Sequence, residues 1–119
     1  LMDETTRRCL AEAGVDIEDA MRRFLGNEAL LLKFLARFGQ DENFSRLCEA
    51  MARGDEKAAF EAAHTLKGVC GNLSLQELSR QVSALVEDLR AGQIAAAETQ
   101  MPAVEREYHR AKAALKALP

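Results

Sequence analysis

The chain has no tryptophan, a single tyrosine and only five phenylalanines. With aromatics at 5% and Ala and Leu abundant, its 48% apolar content suits packed helices better than sheets. Cysteine is scarce as well. Cys9, Cys48 and Cys70 are odd in number, far apart and without CxxC spacing, which speaks against both a disulfide framework and a zinc site. A reduced, cytoplasmic compartment fits that usage. No apolar run nears the roughly 20 residues that span a bilayer, and no signal-peptide pattern opens the chain. Basic residues come singly or in pairs, as at Arg7-Arg8 and Arg22-Arg23, and the net charge is −3. Nothing there attracts nucleic acid. No glycine-rich nucleotide loop, Walker pattern or kinase signature is present, so an autonomous kinase is not expected.

What the 119 residues do contain is helix punctuation, enough for one domain with a single core. Asp3 can open a first helix that Gly14 closes, and Asp16 a second ending near Gly26. Asn27 caps a long amphipathic segment whose apolar face is Leu31, Phe34, Leu35, Phe38, Leu47 and Met51, with a bend or break between Gly39 and Asp41. Gly54-Asp55 is a stop followed by a start. Ser74-Leu75-Gln76-Glu77 reads as a capping box, with Leu73 and Leu78 placed for a hydrophobic staple. The helix after it carries Leu75, Leu78, Val82, Leu85, Val86 and Leu89 to Gly92. In the last stretch, Gln93 to Leu118, Pro102 should kink the helix or restart it. Apolar spacing is three to four throughout, never a sustained two. The expectation is all-α: an antiparallel up-down four-helix bundle, with the short N-terminal helices packed across one end.

The segment Phe60 to Ser74 carries the chemistry. His64, Lys67, Gly68 and Gly71 stand at i, i+3, i+4 and i+7, one stripe of a helix. Ala59, Ala63, Leu66, Cys70 and Leu73 repeat at core spacing roughly 130° away, at about 100° per residue. The imidazole is thus aimed outward while the back of the helix is anchored. Each glycine costs about 0.5–1 kcal/mol against alanine in a helix interior. Two on one stripe make sense where something must approach the backbone. Phe60 falls on the same side one turn earlier, and either packs on a neighbouring helix or meets a partner. Asn72 reads as a C-terminal cap that could also touch the site.

Neutral imidazole is a competent nucleophile near neutral pH. Without a serine or cysteine partner or an enclosing pocket, acyl transfer is not supported. Phosphoryl transfer to a ring nitrogen needs mainly positioning and charge neutralisation. Lys67 can contact the phosphoryl oxygens, and the two glycines leave room for a second protein.

The run His64-Thr65-Leu66-Lys67-Gly68, followed by Gly71-Asn72-Leu73, resembles the signature of histidine-containing phosphotransfer (HPt) domains. Gly14 to Ala20, the Phe24-Leu25-Gly26 stop and a long helix ending in Gly54-Asp55 also follow that family's layout. The resemblance covers residues 14–118, tightly over 63–73, and leaves residues 1–13 as an added N-terminal helix. It implies a relay intermediate that takes a phosphoryl group on His64 from one receiver-domain aspartate and passes it to another. Lys67 would be its electrostatic companion, and Gly68 the small residue that keeps the ring accessible. Partners would be response-regulator receiver domains and a hybrid sensor histidine kinase. The relay would need no cofactor of its own, Mg²⁺ coming with the receiver, and the protein is expected to be a monomer that binds neither nucleic acid nor membrane. Two departures stand out. Val69-Cys70 follows Lys-Gly where the family often has small residues, and Ser74-Leu75 follows Asn-Leu where Gly-Ala is common.

Two rival readings explain less. A structural or adaptor helical bundle accounts for caps and core but leaves the His64 stripe without a purpose. A metal- or haem-binding bundle would have to use His64 and His109, the only two histidines, and no Glu-x-x-His pair lies on facing helices. No metal site is expected.

Overall fold

Four side chains start helices as the sequence predicts. In the computed structural model, which describes residues 2–119, Asp3 accepts a hydrogen bond from the Thr6 N–H at 2.7 Å and Asp16 from that of Asp19 at 3.1 Å. Asn27 and Asp55 accept from the N–H groups of Leu30 and Ala58, each at 3.0 Å. Each satisfies one of the donors that a helix start leaves unpaired. The elements that follow are α1 (Glu4–Ala13), α2 (Ile17–Arg23), α3 (Glu28–Phe38), α4 (Asn43–Ala52), α5 (Glu56–Asn72), α6 (Gln76–Arg90) and α7 (Ile94–Lys116). There is no strand among the described residues beyond an isolated bridge between Val15 and Leu75.

Three-residue connections join α4 to α5, α5 to α6 and α6 to α7, and each pair packs side by side. Cross-helix contacts give the direction. The Gln100 amide on α7 donates to Asp88 near the end of α6, and Phe60 near the start of α5 lies under Arg90 at the end of α6. Adjacent helices therefore run antiparallel, as short connections require. The α3–α4 arm breaks over residues 39–42. It packs its α4 part on α5 and its α3 part on α7. Phe44 stacks on Tyr108 with ring centroids 3.9 Å apart, and Phe38 meets the same ring at 5.6 Å.

α1 lies beside the C-terminal half of α7. The Arg110 guanidinium donates to the Glu12 carbonyl and pairs with the buried Glu107. α2 is held to the α5–α6 turn, where the Asp16 N–H donates to the Ser74 carbonyl at 2.9 Å and the Gln76 N–H to the Gly14 carbonyl at 3.0 Å. Leu10, Leu31, Leu35, Leu47, Leu66, Leu75, Val82, Leu85 and Val86 are fully enclosed. The predicted stripe Ala59, Ala63, Leu66, Cys70 and Leu73 is buried throughout.

Three local expectations need correction. Ser74 does not cap α6. It takes a left-handed φ of +56°, and Leu75 starts the helix with no side-chain cap. The turn is a Schellman motif: the Leu75 N–H donates to the Cys70 carbonyl at 3.0 Å and the Ser74 N–H to that of Gly71 at 3.1 Å. Stopping α5 claims Ser74 before α6 can use it. Asn72 is accordingly the last helical residue, and Leu73 is the cap. Phe34 is 38% exposed and stands apart from the core face that holds Leu31, Leu35 and Phe38. Of the two outcomes expected at Pro102, the restart is not seen: α7 is one helix running through it. Both Pro102 and Glu98, whose carbonyl loses its partner four residues on, lie on the exposed face of the helix, where the lost bond costs least.

Candidate functional site

α5 fixes the site. Ala59, Ala63, Leu66 and Cys70 lock its back into the bundle, and that sets the outward direction of His64, which is exposed. Lys67, one turn on, is half-buried. Among the described residues no carboxylate forms an ion pair with its ammonium. Phe60, one turn back, is half-buried, packs against the core and sits with its ring centroid 5.7 Å from the imidazole. It lines one side of the histidine and packs on a neighbouring helix at once.

Gly68 and Gly71 both lie within the helix, outside the left-handed region, and a Cβ built at either position meets nothing within 4 Å. Neither turn geometry nor internal packing calls for glycine at these positions. The open space lies outside the molecule, beside His64 at Gly68 and two turns along at Gly71. Asn72 is exposed at the end of α5, about 12 Å along the axis from His64 at 1.5 Å per residue. It borders a groove shared with α3.

Two features of the site come from other helices and escape a reading of one segment at a time. The Arg90 guanidinium of α6 lies 5.0 Å over the Phe60 ring and pairs with Glu87 at 3.4 Å, so an arginine–glutamate pair flanks the aromatic neighbour of the histidine. Its only sequence signal is a place at the end of an amphipathic helix, which does not single it out. The other is the groove of about 400 Å³ between Phe24, Phe34 and Arg37 on one wall and Val69, Asn72 and Leu73 on the other. Val69, one of the two departures after Lys-Gly, is half-buried there.

His109 stands far along α7 with its ring edge-on to Phe44 and Tyr108 and shares no cluster with His64. Among the described residues no group of three or more His, Cys, Asp or Glu side chains is placed to hold a metal, and no helix is long and apolar enough to cross a membrane. Burial pushes the Cys70 thiol up to about 12, so that group is chemically silent in the fold.

Comparison with known proteins agrees with this geometry. Curated proteins and solved structures return no match. The family model described as Hpt domain matches residues 9–114, nearly the full length. The chain therefore belongs to the Hpt domain family, the histidine phosphotransfer carriers of phosphorelays.

Proposed function

We propose that His64 is the phosphoryl acceptor and donor of this domain, taking the group from the aspartyl phosphate of one receiver domain and passing it to the aspartate of another. One observation carries the reading: an exposed helical histidine stands between Phe60 and Lys67 beside a glycine whose missing side chain leaves free space. The unprotonated ring nitrogen attacks phosphorus. The N–P bond forms as the acyl-phosphate O–P bond breaks, and that bond's electrons leave with the aspartate carboxylate. The second ring nitrogen keeps its proton, so the cationic ring partly offsets the phosphoryl charge. Onward transfer makes and breaks the same bonds in reverse.

Lys67 contacts the phosphoryl oxygens, and Arg90, itself paired with Glu87, holds Phe60 in place from α6. Gly68 and Gly71 admit the partner's backbone. Mg²⁺, which neutralises charge at the aspartyl phosphate, comes with the receiver in this reading. In this reading the domain is a cytoplasmic monomer fed by a hybrid sensor histidine kinase.

A receiver domain charged with acetyl phosphate is expected to label the wild-type chain, and ATP alone is not. The product should be acid-labile and base-stable, as a phosphoramidate is. His64→Gln should abolish labelling with helicity intact, and His109→Gln should leave it unchanged. Labelling of His64→Gln at the parent rate would move the acceptor elsewhere. A wild type that binds receivers without accepting phosphate would leave the adaptor reading standing.

A further inference from the structure

The one phenylalanine of α5, its only ring besides His64, stands outside the helix's enclosed row. Ala59, Ala63, Leu66 and Cys70, which meet the bundle interior, are no larger than leucine. Phe60 is half-buried one turn before the histidine. The two ring planes are 31° apart, nearer to parallel than to edge-on, and their centroids are 5.7 Å apart, a separation ordinary for stacked aromatic pairs. His109, the other histidine, meets Phe44 and Tyr108 edge-on instead, at 79° and 74°.

Two contacts fix the Phe60 ring. It packs against the hydrophobic core, and the Arg90 guanidinium lies 5.0 Å over it. Arg90 pairs in turn with Glu87 at 3.4 Å, so a carboxylate offsets its charge locally. The ring is thus already in place and loses little freedom when its neighbour changes. That neighbour does change in the reaction assigned to it. The imidazole is neutral before attack. Once the N–P bond has formed and the other nitrogen has kept its proton, it is cationic. An aromatic face attracts a cation within about 6 Å of its centroid and a neutral ring much less. Only such a differential interaction can move an equilibrium.

We infer that Phe60 sets the phosphoryl-transfer potential of His64: its ring stabilises the phosphorylated, cationic imidazole over the neutral one and shifts the exchange with aspartyl phosphate toward phosphohistidine. The inference rests on the reading of His64 as acceptor. Phe60 makes and breaks no bond. It is a positioning residue that acts through the imidazole, whereas Lys67 acts on the phosphoryl oxygens.

The test uses the full chain and an isolated receiver domain that labels the wild type when charged with acetyl phosphate and Mg²⁺. Wild type, Phe60→Leu and Phe60→Tyr are each labelled, freed of donor, mixed with equimolar uncharged receiver and quenched once exchange is complete. Phe60→Leu keeps an apolar side chain but no ring, and its ratio of phosphohistidine to aspartyl phosphate should fall about threefold, as expected for the loss of an exposed cation–π contact. Phe60→Tyr keeps the aromatic face and should hold the parental ratio. In both variants the receiver concentration for half-maximal transfer should be unchanged, and circular dichroism should show the parental helicity. An unchanged ratio in Phe60→Leu overturns the inference. So does an equal fall in both variants, which assigns the effect to packing. A raised half-maximal concentration at constant ratio overturns it too, since Phe60 is then a contact of the partner. A wild type that no receiver labels overturns the His64 reading itself. That outcome is distinct from a changed ratio in the Phe60 variants.

Discussion

Gly68 separates stability from function at a single residue. It is helical, and a Cβ there meets nothing within 4 Å, so alanine would lower chain entropy without a clash. Gly68→Ala is expected to raise the urea midpoint, by up to about 1 kcal/mol in stability. Gly68→Gln should keep most of that gain yet slow transfer from a receiver, because a long side chain then stands beside the imidazole. Phosphoramidate labelling should change little. Equal loss with both donors would mean damage to His64 itself, and unimpaired receiver transfer would remove the docking role of this glycine. The stripe was legible from residue spacing alone, because helix periodicity fixes which side chains share a face. Arg90 was not, because only the packing of α6 on α5 brings it over Phe60.

At the scale of elements, helix starts were legible and one helix end was not. Asp3, Asp16, Asn27 and Asp55 each act through a side chain on its own local backbone, and that signal is written in sequence. The Ser74 turn is decided by competition between two helices and by Asp19, which accepts the Ser74 hydroxyl at 2.7 Å from fifty-five residues away. Ser74→Ala removes the hydrogen bond and keeps the left-handed strain. Ser74→Gly removes both. The glycine variant is therefore expected to exceed the alanine variant by about 1 kcal/mol in urea unfolding. Equal stability would mean that the turn carries no strain.

The same contact has a pH signature. Hydrogen bonds from Arg23, first, and from Ser74 hold the Asp19 carboxyl down at about 2, against 3.8 for a free one. A lowered carboxylate stabilises the fold above its unfolded value and loses that contribution as pH falls through the folded one. The loss from this strap should thus fall between about pH 4 and pH 2. Asp3 and Glu77 are lowered as well and act with the same sign. Asp19→Asn should show a shallower decline in denaturant midpoint between pH 5 and pH 2 than the parent. An unchanged slope would show that this carboxyl keeps the same affinity for protons after unfolding.

For the molecule as a whole, Cys70 reports on integrity. It is fully buried among α5 residues, and its thiol is pushed up to about 12 by that burial and, secondarily, by Asp41. Iodoacetamide at pH 8 should leave Cys70 unmodified in the native bundle and react with it at a rate set by global opening. Leu66→Ala, at a fully enclosed site, should cost about 2–5 kcal/mol and raise that rate well over tenfold. Rapid modification in the parent would instead reveal a local opening of α5. The architecture was legible at this scale because apolar spacing and three short turns leave few ways to pack four helices. The exception is Phe34. It shares a helix with core residues, and periodicity alone cannot tell a side chain at the edge of an apolar face from one kept out for another protein.

The pairing of α1 with the end of α7 also settles how the domain can be carried. Thr6 and Pro119 border one cleft, and Arg110 fastens the first helix to the last close by. The start of α1 and the end of α7 are neighbours, on the far side of the fold from the α4–α5 and α6–α7 turns. Spliced into a loop of another protein, the bundle would ask that loop to open by little more than the width of two helices. It would then hang from one end like a pendant, its histidine face free to swing toward whichever neighbour arrives.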